Sequence, residues 1–454
     1  MKKNTCYLLL AGCLLGACRK DFLDQNAVSS NKIPATVADG WLLLNNETDM
    51  DKAPVLQIAS GDDYYFTGDY WNMLPPLQQR TYIWQSNLLE GEENVYDWSM
   101  PYRQVMVCNV VLATLARLPE QAADTSWRNA KATALFKRAF AFFNLAQLFA
   151  PPFHPQLANT LPGIPLLLLG DVNEPVVRAT QYETYQQILS DLQEAARVCV
   201  QSVPDSIRNH ANKAAIDALL SRVYLNMHDY AAAGNYADSC LQLWDKLIDY
   251  NTVNSKADIL FPVRNDENLY NARVPNSQFQ SLMPLIGAAY IDTLLLQQYS
   301  RQDLRKTIFF TSAERPRRRN FYDGMQATLY AGLAVDEVYL NYAESLARNG
   351  NRDAAMEWLN RLLKKRYSTG QLPVLTAVDA GEALTWVLTE RRKELVMRGL
   401  RWLDLRRLNQ EGDSITVTRY LNGTLHALLP RSNLYTLPIP DDALAGTQMV
   451  QNSR

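Results

Sequence analysis

Residues 390–408 read ERRKELVMRGLRWLDLRRL, a stretch in which charged side chains alternate with leucines at helical spacing. Glu394 and Arg398 lie four residues apart, the spacing at which opposite charges pair on one face of a helix. Gly399 gives the backbone unusual freedom, so we expect it to end one helix and to let a second begin at Arg401. The stretch therefore predicts two charged helices joined at a glycine.

Two interpretations of the arginines in this stretch compete. Asp404 lies three residues from both Arg401 and Arg407, so it can pair with either of them on the helix surface. A run of basic residues could instead contact nucleic acid. The interleaved acidic side chains and the export signal described below argue against that use. We interpret the stretch as a structural clamp and expect no nucleic-acid partner.

Helical periodicity continues upstream in two blocks, at about residues 130–250 and 333–366. In each block a short polar turn separates two apolar stripes, at His228–Asp229 in the first and at Asn349–Gly350–Asn351 in the second. Alanines alternate with large side chains where the paired helices must cross. This pattern is typical of tetratricopeptide-like helical hairpins.

Two other blocks, at about residues 49–100 and 251–330, lack this periodicity and are rich in aromatic, acidic and turn-forming residues. The second block contains two short runs that we predict as strands, Asp258–Val263 and Thr307–Thr311. It also contains the basic segment Arg315–Asn320, which we predict as a solvated loop. Long irregular segments are uncommon in compact proteins, and binding is one reason for them. The predicted fold is mainly α, with tetratricopeptide-like helix pairs packed against an irregular, loop-rich ligand-binding portion.

The N-terminus has the features of an exported and lipid-anchored protein. Two lysines precede the apolar run Cys6–Leu15, which is too short to span a bilayer. The run ends in LGAC, whose Cys18 offers a thiol that can be acylated; an ordinary signal peptide beside an incidental cysteine is the alternative. We expect residues 1–17 to be a cleaved signal peptide, and residues 18–35 to form a lipid-anchored tether.

Composition narrows the class of protein. The 454 residues are 47% hydrophobic and 20% charged, as in ordinary globular proteins. Removing the two lysines of the predicted signal peptide from the 45 basic residues leaves 43 against 47 acidic ones, a formal charge of −4. Such a balance gives no general attraction to nucleic acid. Cys108, Cys199 and Cys240 lack the spacing of a disulfide scaffold or a zinc site, so we predict them as small buried side chains.

Motifs that would indicate an enzyme are missing from the sequence. It contains no nucleophile elbow, zinc-protease motif, phosphate-binding loop or dinucleotide-binding motif. The four histidines lie far apart, without metal-ligand spacing. Asp62 and Asp63 are neighbours, which does not place two carboxylates across a substrate as in a glycosidase. We interpret the pair as an acidic or hydrogen-bonding loop, and expect a binding protein without catalytic residues, cofactor or metal.

Several motifs resemble, in the same order, those of the SusD/RagB family of nutrient-uptake outer-membrane lipoproteins. The resemblance covers essentially the whole chain, with residues 36–454 as one α domain. The matching segments are WSMPYRQVMVCN (98–109), FKRAFAFFNLAQLF (136–149), VDEVYLNYAESLARNG (335–350) and, within the C-terminal family motif 383–454, the stretch quoted first and LLPRSNLYTLPIPDDAL (428–444). Two local departures are Arg398, where the family often has an acidic residue, and Ala150–Pro151–Pro152, which replaces a Tyr-Gly turn.

The resemblance implies a role. A member of this family is expected to be anchored in the outer membrane, facing outward, and to act as the lid of a SusC-type TonB-dependent transporter. It would capture an oligosaccharide and deliver it to that transporter. An oligopeptide cargo is the first alternative, and a tetratricopeptide scaffold in envelope assembly is the second.

Candidate ligand-binding residues come from the segment DDYYFTGDYW (62–71), which places aromatic and acidic side chains together. Sugar rings stack on aromatic faces and exchange hydrogen bonds with planar polar groups. The resemblance implies that the site also draws on the later irregular block. The predicted residues are Asp63, Tyr65, Tyr70, Trp71 and Trp84, with Tyr290 and Tyr322 on the opposite wall. For Trp84, packing in the core is an equal alternative.

Overall fold

The computed structural model describes residues 34–118, 124–169, 176–275, 278–284, 287–319, 322, 324, 328–372 and 374–454. The predicted signal peptide, Cys18 and most of the predicted tether lie outside these residues. Within the described ranges, no helix combines the length and the apolar character that crossing a membrane requires.

Helices dominate the first half of the described chain. They are α1 (Val37–Leu44), α2 (Leu56–Ala59), α3 (Gly68–Asn72), α4 (Pro76–Tyr82), α5 (Tyr96–Arg117), α6 (Thr125–Phe149), α7 (Gln181–Val198), α8 (Lys213–Asn226) and α9 (Tyr230–Leu243). α6 is buried along most of its length and packs between α5 and α7. Its apolar side chains surround the helix, as expected of a helix inside a core.

The second half alternates short helices with longer ones. They are α10 (Thr293–Gln297), α11 (Arg305–Phe309), α12 (Val335–Arg348), α13 (Arg352–Leu363), α14 (Ala380–Glu394), α15 (Leu400–Glu411) and α16 (Asp441–Leu444). The mainly α fold predicted from the sequence is confirmed. Both predicted helical hairpins form, with α8 and α9 turning at His228–Asp229 and α12 and α13 turning at Asn349–Gly350–Asn351.

The strands of the described residues form five antiparallel pairs. Their bounds are β1 (Tyr64–Tyr65), β2 (Pro162–Pro165), β3 (Arg178–Thr180), β4 (Asn268–Tyr270), β5 (Arg273–Val274), β6 (Tyr290–Ile291), β7 (Leu329–Tyr330), β8 (Leu333–Ala334), β9 (Val417–Leu421) and β10 (Thr424–Leu428). The pairs are β1 with β6, β2 with β3, β4 with β8, β5 with β7 and β9 with β10. The β1–β6 pair joins the two loop-rich blocks.

Three local predictions for the second loop-rich block are wrong. Residues 258–263 form bends without a strand, and most of Thr307–Thr311 belongs to helix α11. Short apolar runs fit a strand or a buried helix equally well, so periodicity alone could not separate them. The basic segment is only partly solvated, because Arg318 is buried with its guanidinium carbon 4.1 Å from the centre of the Phe309 ring.

The stretch at residues 390–408 folds as two helices, as predicted. α14 ends at Glu394, and Gly399, with φ +82°, precedes α15. The predicted pair of Asp404 with Arg407 forms, at 2.9 Å. The predicted pair of Glu394 with Arg398 does not form, because the helix has already ended between them, and Arg398 instead contacts Asp336 on α12 at 2.6 Å.

Glu394 belongs to a buried group of charges that we call the central ion cluster. It consists of Glu267, Asp303, Arg305, Arg366, Glu390, Lys393 and Glu394. Arg305 lies within 3.0 Å of three carboxylates, those of Asp303, Glu390 and Glu394. Arg366 bridges Glu394 and Glu267 at 2.7 and 2.6 Å. The stretch therefore does clamp the fold, because its buried charges pair with side chains from residue 267 onwards.

Candidate ligand-binding site

Two of the predicted residues, Tyr65 and Tyr290, meet directly. They are cross-strand partners in the β1–β6 pair, and their ring centres lie 5.5 Å apart with an interplanar angle of 40°. Cross-strand partners project from the same face of a sheet. The two rings are partly exposed and form one aromatic surface, so Tyr290 stands beside Tyr65 and not on an opposite wall.

Successive side chains of β1 point to opposite faces, and this determines whether Tyr64 or Tyr65 can contact a ligand. Tyr64 points to the opposite face, is buried, and donates a hydrogen bond from its hydroxyl to the carbonyl oxygen of Ala59 at 2.7 Å. Tyr65 keeps its ring at the surface. Partial burial raises the pKa of Tyr65 above its ordinary value although the charge of nearby Arg315 opposes the shift. Its hydroxyl therefore stays protonated and can donate or accept hydrogen bonds at neutral pH.

Arg315 adds a cation to this aromatic surface. Its guanidinium carbon lies 5.8 Å from the centre of the Tyr290 ring, and the residue is exposed. A guanidinium offers five donors in a plane, a geometry suited to pairs of hydroxyl or carboxylate oxygens. The sequence singled out Arg315 only as part of a basic loop.

Tyr65 also lines a cleft of about 690 Å³, which we call the tyrosine cleft. Its walls come from β1, from the start of α10, from α14 and α15, and from β9. They include Asp62, Phe66, Tyr82, Asp292, Thr293, Leu294, Gln298, Arg392, Arg401, Thr418, Arg419 and Tyr420. Leu294 and Tyr420 stand on the rim, with exposed fractions of 69% and 75%. Proteins commonly bind small ligands in clefts of this size.

A charged group forms the floor of the tyrosine cleft. Arg401 donates to both carboxylate oxygens of Asp62 at 2.7 and 3.0 Å, and Arg392 donates to the same two oxygens at 3.0 and 2.9 Å. Burial alone would raise the pKa of Asp62, but the guanidinium groups of Arg401 and Arg392 outweigh it and hold the pKa well below its usual range. The floor is therefore rigid and stays ionised.

Asp63, which we predicted to bind ligand, is buried and turned away from the cleft. Its Oδ2 accepts a hydrogen bond from the backbone N–H of Met397 at 2.8 Å. Burial raises its pKa to about 6, although the charge of Arg392 opposes the shift. Asp63 thus ties the segment before β1 to the turn between α14 and α15. Asp63 therefore stabilises the fold.

Trp84 is also a packing residue. Its side chain is 2% exposed, and its indole N–H donates to the carbonyl oxygen of Ser60 at 2.9 Å. The guanidinium carbon of Arg419 lies 4.5 Å from its ring and 3.9 Å from the ring of Tyr82. Arg419 also donates to the carbonyl oxygens of Gly61 and Tyr82. This buried aromatic box supports the segment that carries Tyr65.

Tyr322 lies in the core and not on a wall of the cleft. It is 2% exposed, and its hydroxyl donates to Glu267 of the central ion cluster at 2.7 Å. Its ring packs 4.8 Å from that of Tyr330. The ligand-binding prediction for Tyr322 is therefore corrected, since a buried ring cannot stack on a sugar.

Tyr70 and Trp71 lie on α3, next to the tyrosine cleft but outside its lining. The Tyr70 ring is 5.6 Å from Phe66, which does line the cleft. The Trp71 indole N–H donates to the carbonyl oxygen of Gln79 at 3.3 Å. Both side chains are partly exposed, so they can extend the aromatic surface beyond the cleft.

Tyr420 is a rim residue that sequence reasoning missed. It alternates with buried neighbours along β9, whose partner β10 follows the turn Asn422–Gly423. Both turn residues have positive φ, 49° and 83°. An Asn-Gly turn between alternating strands is a strong hairpin signal, and it could have identified the exposed face of β9.

The tyrosine cleft offers stacking surfaces and hydrogen-bonding groups in one place. Among the described residues, no cluster of histidine, cysteine, aspartate or glutamate is arranged to hold a metal ion. Such an arrangement can stack against flat apolar faces and exchange hydrogen bonds with hydroxyl groups.

Two family models match the chain. The first, described as starch-binding associating with outer membrane, matches residues 21–225, and the second, described as the SusD family, matches residues 335–453. A comparison with curated proteins finds no match.

Solved structures with the same fold cover nearly the whole chain. A SusD superfamily protein from Bacteroides thetaiotaomicron is 20% identical with a TM-score of 0.71, covering 92% of this chain and 100% of its own. A putative sugar-binding protein from Bacteroides vulgatus is 21% identical with a TM-score of 0.73, covering 93% and 99%. A laminarin-binding SusD-like protein is 18% identical with a TM-score of 0.64, also covering 93% and 99%. At these identities the likeness concerns the fold.

Proposed function

The chain belongs to the SusD/RagB family, and on that premise we propose that it captures oligosaccharides at the cell surface through the tyrosine cleft. The observation that carries the proposal is the Tyr65–Tyr290 surface beside a cleft of about 690 Å³. The faces of sugar rings are apolar C–H surfaces, which aromatic rings bind by stacking. Arg315 and the tyrosine hydroxyls supply hydrogen-bonding partners for the rim of hydroxyl groups.

The similar proteins support a sugar as the class of ligand. One of them is described as laminarin-binding and another as a putative sugar-binding protein. Family membership also fits a binding protein better than an enzyme. Stacking surfaces and hydrogen-bonding groups are what this role requires, and no catalytic group is needed for it.

We further propose that the chain hands its ligand to a SusC-type TonB-dependent transporter and acts as its lid. Cys18 would anchor it to the outer membrane, with residues 19–35 as a leash that lets the lid open. Ligand would favour the closed lid if both partners contact it only in that state. Co-purification of the transporter with the full chain tests this step. Recovery of other envelope proteins in its place would favour a scaffold.

A glycan array tests the sugar-binding role directly. Tyr65→Ala and Tyr290→Ala should each weaken binding about tenfold, equivalent to about 1.4 kcal/mol, because each removes half of the stacking surface. Tyr182→Ala is the matched control, since Tyr182 is an exposed tyrosine on α7, outside the lining of the tyrosine cleft. No binding to any glycan, together with binding to peptide pools, would replace the sugar with an oligopeptide.

A further inference from the structure

A second cleft of about 500 Å³ lies next to the tyrosine cleft. It is bounded by α14, by α15 and by residues 411–415. Four residues line both clefts, namely Gln298, Arg392, Arg401 and Ile415. The two clefts therefore meet over the Asp62–Arg392–Arg401 floor, and together they make one groove that is longer than the aromatic surface alone requires.

The second cleft has the chemistry of a binding surface for hydroxyl groups. Thr385 and Thr389 lie one turn apart on α14 and both line it, together with leucines 384, 388 and 408. Each threonine hydroxyl donates to the carbonyl oxygen four residues earlier, at 3.0 and 2.8 Å. Because their own protons are engaged, these hydroxyls present acceptor lone pairs to the groove. Asp413 adds an exposed carboxylate at the far end.

The arginines of the groove are already engaged with groups of the protein. Arg392 and Arg401 share Asp62, as described above. Arg348 pairs with Glu344 and Glu411, both at 2.8 Å. Arg419 is buried and donates to two backbone carbonyl oxygens. Along the lining of the groove, an anionic ligand would have to compete with these carboxylates and would approach Asp413, whereas a neutral ligand meets neither cost. Arg315, which stands outside that lining beside Tyr290, can donate hydrogen bonds to the hydroxyls of a neutral ligand.

We propose that the ligand is a neutral, linear oligosaccharide long enough to reach from the Tyr65–Tyr290 surface to Thr389 and Asp413. This inference rests on the sugar-binding role proposed above and adds the length and charge of the ligand. The tyrosines hold one end by stacking, and the threonines and Asp413 accept hydrogen bonds from hydroxyls at the other end.

The experiment measures affinity for linear neutral oligosaccharides graded from disaccharides to octasaccharides, with uronic-acid oligosaccharides of matched length. Affinity should rise with length, and neutral chains should bind at least tenfold more tightly than acidic ones. The double variant Thr385→Ala, Thr389→Ala should weaken binding of the longest chains about tenfold and leave disaccharides unchanged. Ser239→Ala on α9 is the control, because its hydroxyl makes the same bond to a carbonyl four residues earlier.

The outcomes separate this inference from the proposed function. Full affinity for disaccharides, preference for acidic chains, or an unchanged affinity of the threonine variant for long chains would overturn it while sugar binding stands. Absence of binding to every oligosaccharide would overturn the sugar-binding role, and the inference with it.

Discussion

Asp97 shows how one buried carboxyl supports the site from outside it. It is buried at the start of α5, and its two oxygens accept hydrogen bonds from the backbone N–H groups of Val55 and Leu56 at 3.2 and 2.6 Å. Those groups begin α2, which leads into the segment carrying Tyr65. Burial raises the pKa of Asp97 to about 7, although the two backbone hydrogen bonds oppose the shift.

This raised pKa predicts a dependence of stability on pH. A carboxyl whose pKa is higher in the folded protein than its usual 3.8 contributes stability that is complete below pH 4 and is lost as the pH rises through about 7. Asp97→Asn cannot ionise, so it should flatten the fall in the free energy of unfolding between about pH 4 and pH 7, by up to about 1.4 kcal/mol per pH unit. Urea denaturation at several pH values measures this.

The exposed Asp353, changed to Asn, is the control for Asp97, because its carboxyl is solvated. Equal pH profiles for the wild type and Asp97→Asn would contradict the prediction.

Individual site residues were only partly predictable from sequence. The composition of residues 62–71 correctly located the region that contains Tyr65. It could not separate partly exposed Tyr65 from buried Tyr64, since that depends on which face of β1 meets the core. It also could not show that Asp63 is held by the backbone N–H of Met397. The pairing of Tyr65 with Tyr290 spans more than two hundred residues, and no local pattern encodes it. The burial of Tyr322 could likewise not be predicted, because its hydroxyl donates to Glu267, a contact made only in the folded protein.

At the scale of elements, Arg419 couples the β9–β10 hairpin to the segment before β1. Its donors reach the carbonyl oxygens of Gly61 and Tyr82, while its guanidinium packs against three aromatic rings, those of Tyr64, Tyr82 and Trp84. Cation–π contacts compensate part of the cost of burying the charge. The hairpin thus supports the segment that carries Tyr65.

Arg419→Met should loosen this connection. It leaves two buried carbonyl oxygens without donors, so the free energy of unfolding should fall by about 1–3 kcal/mol. Amide hydrogen exchange of residues 61–65 should accelerate more than that of α6, because the support is local. Arg352→Met, at a solvent-exposed ion pair with Asp353, is the control. Uniform acceleration across the chain would show general destabilisation and would reject a local role.

Helices were the elements best predicted from sequence. The apolar stripe along α6 and the turns of both hairpins depend on residues within a few positions of one another. Local sequence patterns therefore predict them correctly. The short strands were not predictable, because β1, β4, β5 and β6 owe their pairing to partners far along the chain. The predicted pairing of Glu394 with Arg398 was wrong for the same reason, because each side chain contacts a residue of another element.

At the scale of the whole molecule, the predicted lipid on Cys18 would hold the ligand-binding groove close to the membrane. Cys18→Ser should abolish incorporation of a labelled fatty acid and release the protein from the membrane fraction, because the thiol is the acceptor of the lipid. Cys6→Ser is the matched control, as Cys6 lies in the predicted signal peptide. Unchanged labelling of Cys18→Ser would rule out this anchor.

The central ion cluster also bears on when the chain can complete its fold during synthesis. A protein is made from its N-terminus, so Arg305 and Arg366 are synthesised well before Glu390 and Glu394, which lie among the last 65 residues. Until those carboxylates arrive, Arg305 has only Asp303 and Arg366 has only Glu267 as an acidic partner in the cluster, and removing one partner from a buried ion pair costs about 3–5 kcal/mol. A chain cut short before residue 390 would therefore stay open and accessible to proteases. The cluster in this way makes closure of the fold depend on Glu390 and Glu394.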